Sequence, residues 1–206
     1  VGTRIIVEDL FYNTPARLKF MRSENTEFGY VSQLITAFAL SFPEISFKLL
    51  KDGKETLYTT GNTTLTGVAR QLFGKELVTS LFTISYETEA GSITGLLSYP
   101  DYIRKDRNRQ FFFVNRRWVE VIGLKKLMSN IYENLVPSKH YPVAILNLQV
   151  PFESVDVNVH PTKKEVKFKN FYRIQKLIET AIQNELATYH RVTLPEFSAL
   201  QAYENT

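Results

Sequence analysis

The chain has 206 residues, of which 44% are apolar; that is enough for one or two packed cores and excludes a wholly disordered segment. It contains no cysteine, which excludes disulfides and thiolate metal sites, and His140, His160 and His190 stand too far apart in sequence to suggest a ligand cluster, so no metal site is expected. The net charge of +4 is unevenly placed: residues 1–64 carry 7 basic and 7 acidic side chains, whereas Arg104 to Lys126 holds 8 basic ones against Asp106 and Glu120, a local +6 that attracts polyanions.

Thr3, Ile5 and Val7 alternate and predict a strand. Tyr12 to Pro15 turns, Pro15 suits a first helical position, and Ala16 to Met21 predicts a short helix. Ser23 is placed to cap the next helix, with Glu24 and Glu27 in its first turn. Phe28, Val31, Ile35, Phe38 and Phe42 recur at three and four residues and predict one buried stripe; Pro43 ends the helix. Ile45 to Leu50 and Glu55 to Thr60 read as a hairpin around Asp52-Gly53. Gly61-Asn62-Thr63-Thr64 clusters turn residues and is the best domain boundary. Leu65 to Phe73 reads as a helix closed by Gly74. Leu81 to Thr88 and Ser92 to Ser98 read as strands. Phe111 to Val114 is a continuous apolar run, as in a strand buried on both faces. Ile122 to Leu135 has helical spacing. Val143 to Val150, Val155 to His160 and Glu165 to Lys169 read as strands. Phe171 to Leu186 is an amphipathic helix with Ile174, Ile178 and Ile182 on one stripe, and Val192 to Thr206 shows no period. The plan is a mixed α/β or α+β one, divided into residues 1–60, 61–190 and a tail or linker at 191–206. No apolar run is long enough to span a membrane and no signal peptide is visible. A chain that opens on Val1 inside a strand-like pattern reads as a piece of a longer protein.

Residues 155–168 carry the most information. Val155, Val157 and Val159 alternate with Asp156, Asn158 and His160, Pro161 stops the ladder, and Val166 and Phe168 resume it. Thr162, Lys163 and Lys164 are thus displayed in a short loop. A lysine held there is a positioned point charge suited to a phosphate. On chemistry alone the plainer reading, a hairpin tip with solvated lysines, is preferred. His160 stands before Pro161 with no carboxylate or second histidine near it in sequence, and reads as structural.

The wording of this stretch resembles the MutL family of DNA mismatch-repair ATPases. So do Gly2 to Arg17, above all Leu10-Phe11-Tyr12-Asn13-Thr14-Pro15-Ala16-Arg17, and Phe113-Val114-Asn115-Arg116-Arg117. The three motifs appear in family order at family-like spacing, and the resemblance covers nearly the whole chain. The resemblance implies that residues 1–60 are the end of an ATPase domain of the gyrase, Hsp90, histidine-kinase and MutL (GHKL) superfamily. It also implies that the following domain is a transducer similar to the second domain of ribosomal protein S5.

By that resemblance, Thr3 lies near the adenine pocket and Lys163 reaches the γ-phosphate of ATP. ATP and Mg²⁺ belong to the parent protein, and no cofactor is expected on this fragment. The family's water-activating Glu, magnesium-binding Asn and glycine-rich lid are not found in this sequence, so the fragment is expected to be inactive alone. Arg104, Lys105, Arg107, Arg109, Arg117, Lys125 and Lys126 are the expected DNA contacts. One residue at a time, a solvated surface charge is the better reading. The implied partners are double- and single-stranded DNA bound without sequence preference, a second copy in an ATP-bound homodimer, and a mismatch-recognition protein of the MutS family, with no membrane. A bacterial cytoplasmic, nucleoid-associated location follows from the same resemblance. The family usually has Val-Asn-Gly-Arg where this chain has Arg116 for the Gly, which puts the local turn in question. The alternatives are an ATPase–transducer piece of a type II topoisomerase or Hsp90-like protein, and a free-standing S5-like nucleic-acid-binding module.

Overall fold

A computed structural model describes residues 2–157 and 164–203, with side chains in the last helix as far as Thr188. The order begins with α1 (Pro15–Lys19), α2 (Glu24–Ser41), the hairpin strands β1 (Ser46–Lys51) and β2 (Lys54–Thr60), α3 (Leu65–Phe73) and α4 (Lys75–Thr79). It continues with β3 (Leu81–Thr88), β4 (Gly91–Ser98), β5 (Ile103–Arg104), β6 (Gln110–Val114), β7 (Arg117–Val119), α5 (Ile122–Tyr132), β8 (Tyr141–Pro142) and β9 (Ala144–Gln149). A short 3-10 turn at Phe152–Ser154, β10 (Val155–Asp156), β11 (Lys167–Phe168) and α6 (Phe171–Tyr203) follow.

Five strands form the central sheet in the order β3-β4-β9-β6-β7. β6 runs parallel to β9 and the other neighbours are antiparallel. The sheet is covered on both faces, and strand alternation sorts its side chains between them. Phe82, Ile84, Ile93, Leu97, Phe112 and Leu146 pack against α5 and α6. Leu96, Phe111, Phe113 and Ile145 pack against α2, α3 and α4. β6 is therefore buried on both sides, as its unbroken apolar run predicts. Each side chain buried in this way contributes roughly 1.5–3 kcal/mol. On the α5 side, Tyr132 is fully buried and its hydroxyl donates to the carbonyl of Ser98 at 2.7 Å. Burial pushes that phenol well above its ordinary pKa.

The hairpin turns at Asp52 and Gly53, both with positive φ, the geometry that Asp-Gly favours. The predicted boundary at Gly61–Thr64 is closely stitched. The Asn62 amide donates to Glu44 O at 3.2 Å and the Thr63 amide to Pro43 O at 3.3 Å. The Thr64 hydroxyl caps α3 by accepting from the Gly67 amide. Ala37, Ala39 and Leu40 of α2 share one core with Val68 and Ala69 of α3.

Several expectations are corrected. Residues 3–7 form no strand among the described residues, and Ile5 is 82% exposed. A strand is stabilised by pairing and by burying one face, and this segment has neither. The stripe expected to be buried in α2 is also wrong. Val31 and Phe38 are exposed, whereas Thr36, Ala37, Ala39 and Leu40 are buried. The helix is apolar around most of its circumference, so periodicity alone could not select a face, and the small residues let it lie close against the sheet. α6 runs on to Tyr203, through the residues expected to be a tail and past Pro195, which removes one helical donor without ending the helix. Of the strand expected at Val155 to His160, the ladder covers Val155 and Asp156, and His160 lies outside the described residues.

Candidate functional site

A cleft of about 550 Å³ opens where α2 meets the β6–β7 hairpin. Leu34, Phe38 and Phe42 form its apolar wall, and Asn115, Arg116, Arg117, Trp118 and Lys164 form the other. Asn115 sets this second wall. Its amide donates to Leu148 O at 2.8 Å, and its side chain pairs with Val150 like a backbone unit, donating to the carbonyl at 3.0 Å and accepting from the amide at 2.8 Å. It thereby extends the β6–β9 ladder by side chain where the backbone turns away. Asn115 and Arg116 have φ of 50° and 65°, so the hairpin closes with two left-handed residues. The departure from the family's usual Gly thus leaves a two-residue turn intact.

Lys164 is half-exposed but not free in solvent. Its ammonium lies 4.3 Å from the centroid of the Trp118 ring and 3.4 Å from Glu120 Oε1, and its carbonyl accepts from the Glu120 amide at 2.7 Å. Sequence alternation gave no sign of this, because the partners lie on β7 and just after it. Lys163, the residue before it, lies outside the described residues. Thr3 is exposed and does not line the cleft. Among the described residues no three His, Cys, Asp or Glu side chains come together to hold a metal.

The basic stretch divides into two groups. β6 separates Arg104, Lys105, Arg107 and Arg109 at one end from Arg116 and Arg117 at the other. Five strand residues span roughly 17 Å, so these are two patches rather than one. Within the first group the side chains are partly engaged. Arg104 pairs with Asp106 at 3.2 Å. The Arg107 guanidinium stacks over Tyr141 at 4.2 Å and donates to Ser129 Oγ at 2.8 Å. Arg109 stacks over Phe73 at 4.2 Å, and desolvation, followed by the nearby Arg104 charge, lowers its pKa. The Asn108 amide, then burial acting in the opposite sense, then Arg104, set Asp106, which ends below the ordinary carboxylate range. Lys105, Arg117 and Lys126 are exposed, and Lys125 is half-buried on α5. Arg109 also lines a second cleft, of about 370 Å³, with Asn108 and the N-terminal half of α2.

Comparison with known proteins gives a consistent result. Residues 69–187 match the family described as DNA mismatch repair protein, C-terminal domain. A DNA mismatch repair protein MutL from Halothermothrix orenii is 42% identical over 187 residues, covering 91% of this chain and 29% of that protein. Its namesake from Symbiobacterium thermophilum is 36% identical over 185 residues, covering 90% and 29%. Among solved structures, the N-terminal domain of a DNA repair protein shares the fold, with a TM-score of 0.74 at 23% identity over 90% of this chain and 61% of that one. The Aquifex aeolicus MutL ATPase domain complexed with ADP has a TM-score of 0.50 at 26% identity, covering 69% of this chain and 50% of that one. The chain spans about 29% of the length of these two curated relatives.

Proposed function

The chain belongs to the MutL family of DNA mismatch repair proteins, and from that premise we propose that it is the part of such a protein that passes the state of a bound nucleotide on to dimer closure and DNA binding. Residues 1–60 are the end of the ATPase domain and residues 61–190 the transducer. The observation that carries the reading is the cleft, whose walls come from α2 on one side and from the β6–β7 hairpin and Lys164 on the other. Lys163 immediately precedes Lys164 of that wall in the sequence, and the family resemblance gives it the phosphate-facing role. An ammonium there suits the terminal phosphate of ATP, as a charge that is felt while the phosphate is present and lost when it leaves. Thr3, which does not line the cleft, is assigned to the adenine side by the family resemblance alone.

The residues present fit a supporting role toward ATP. Among the described residues the cleft lining offers cations and no carboxylate, which suits binding and positioning rather than holding magnesium or activating water. ATP supplies the phosphoryl chemistry; this chain supplies charge and positioning. In the intact protein, Lys163→Ala is expected to remove a charge-assisted bond of about 1.5–3 kcal/mol and slow ATP turnover by an order of magnitude or more. Lys164→Ala is expected to do much less, because Lys164 is spent on Trp118 and Glu120. The reverse result in a phosphate-release assay would move the sensor to Lys164.

DNA, double- or single-stranded, is the second partner, held through phosphates rather than base edges. The two basic patches support this, with Lys105, Arg107, Arg117 and Lys126 the exposed cations. A second copy closing over the DNA and a mismatch-recognition protein of the MutS family complete the assembly. Fluorescence anisotropy with a labelled duplex is expected to show weak binding by this chain, at or above ~10⁻⁶ M, falling steeply with salt. Reversing those four charges together is expected to abolish it. Full affinity in the fourfold variant would assign the DNA path to another surface.

A further inference from the structure

Arg116 occupies a position where its backbone is unfavourable. In a two-residue hairpin turn with both φ values positive, Asn followed by Gly is the preferred pair, because a side chain at the second position crowds its own carbonyl. Arg116 takes that position with φ of 65°. The reason lies in its side chain. Nε and Nη2 donate to the carbonyl of Ser41 at 3.1 and 3.0 Å. Nη2 also bonds Glu44 Oε1, and the guanidinium lies 4.4 Å from the centroid of the Phe42 ring. In return the Ser41 hydroxyl donates to Arg116 O at 2.5 Å, and the Arg116 amide donates to Asn147 Oδ1 at 3.3 Å.

Ser41 is the last residue of α2, where helix carbonyls lack partners and the dipole favours a cation. The last turn of α2 contains no basic residue of its own. Arg116 supplies both the donors and the charge from a hairpin 75 residues along the chain. Its partners Ser41, Phe42 and Glu44 precede the predicted boundary at residue 60, and Arg116 itself follows it. The guanidinium is thus committed to internal partners while its residue forms part of the cleft wall.

We propose that Arg116 is a positioning residue: a clamp that caps the C-terminal end of α2, fastens it to the tip of the β6–β7 hairpin, and so fixes the two walls of the cleft against each other. The clamp itself rests on geometry alone; its effect on nucleotide turnover rests on the function proposed above.

The test is hydrogen exchange by mass spectrometry on the intact protein carrying Arg116→Gly or Arg116→Lys. If Arg116 served only its turn, Gly would relieve the left-handed strain and leave α2 unchanged. A clamp predicts that the Phe42 and Ile45 amides, which donate to Phe38 O and Phe42 O, lose protection about tenfold or more in the Gly variant. Lysine keeps the charge but not the fork, so it should restore part of that protection, giving the order Arg, Lys, Gly. Amides of β4 and α6 serve as controls for folding. Unchanged protection at Phe42 and Ile45 in a folded Gly variant overturns the clamp, whatever the turnover. Lost protection with unchanged ATP turnover leaves the clamp standing and removes the proposed coupling instead.

Discussion

The two faces of the central sheet are covered in different ways. On one face, α5 and α6 close over Phe82, Ile93, Phe112 and Leu146, and the outer sides of those helices carry polar residues such as Lys126, Glu179 and Glu185. On the other, α2 lays small residues on the sheet and turns Tyr30, Val31, Leu34 and Phe38 outward, exposed. Ile5, Ile6, Val7, Phe20 and Tyr58 add to the apolar surface before residue 61. The first face leaves fewer large apolar side chains uncovered, Ile122 and Tyr172 among them. The second has the composition of an element made to be covered twice, as expected of the margin of a larger domain.

Two substitutions test that contrast directly. Phe112→Ala on the first face is expected to cost about 3–5 kcal/mol, the usual penalty for deleting a buried phenylalanine. Phe38→Ser on the second face is expected to cost less, about 1 kcal/mol in this chain, since the residue is already 41% exposed although its ring stacks on Phe47. Urea unfolding of both variants measures the difference. A Phe38→Ser cost near that of Phe112→Ala would mean that the outer side of α2 is buried in solution and that the two faces are alike. In the intact protein the same Phe38→Ser change is expected to be costly, which would date the covering to residues outside this chain.

A smaller effect is expected where the two halves are joined. Gly61 has φ of 71°, and a Cβ added there would sit 2.8 Å from Ser46 N. Gly61→Ala therefore meets both backbone strain and a clash with main chain that has little room to move, and should cost about 1–3 kcal/mol. A neutral result in the same urea assay would mean that the junction is slack and the boundary a true linker.

Much of this contrast was legible in the sequence, and the reasons differ from element to element. The helix from Leu65 to Phe73 was readable because Thr64 and Gly74 mark its ends. The strand at Phe111 to Val114 was readable because an unbroken apolar run with short turns on either side fits a doubly buried strand. The buried face of α2 was not readable, since a helix with apolar residues on most sides offers no unique stripe. Nor was the strand expected near Ile5, because alternation states what a segment would do with a neighbour and not whether it has one. At the site, motif wording identified the family and put forward Lys163, but it marked Arg116 only as a departure from the usual Gly and Lys164 only as a loop lysine, and showed the contacts of neither. Their partners, Ser41, Glu44, Trp118 and Glu120, lie on other elements, and no local spacing encodes such contacts.

The smallest expected effect is on acid sensitivity, and it separates the faces by one carboxylate each. On the α2 side, a bond from its own backbone and then the Arg116 guanidinium hold Glu44 below the ordinary carboxylate range. On the α6 side, Gln175 first and Lys176 after it do the same for Glu179. A carboxylate whose pKa is depressed on folding contributes stability at pH values above its unfolded pKa, and that contribution is lost as the pH falls through the folded one. Both groups sit at the surface, where solvent and salt weaken such pairs, so each contribution is small. Melting scans from about pH 7 to about pH 3 should show part of the acid loss removed by Glu44→Gln and a separate part by Glu179→Gln, with Asp106 accounting for a further share. The two parts should add, since the residues share no partner. Hydrogen exchange then assigns them. On acidification the amides at the end of α2 should lose protection in the parent sequence but start low and stay flat in Glu44→Gln, while those of α6 respond only to Glu179→Gln. If acid loosens α2 equally in Glu44→Gln, then the charge on Glu44 contributes nothing to the junction, and Arg116 holds Ser41 without it.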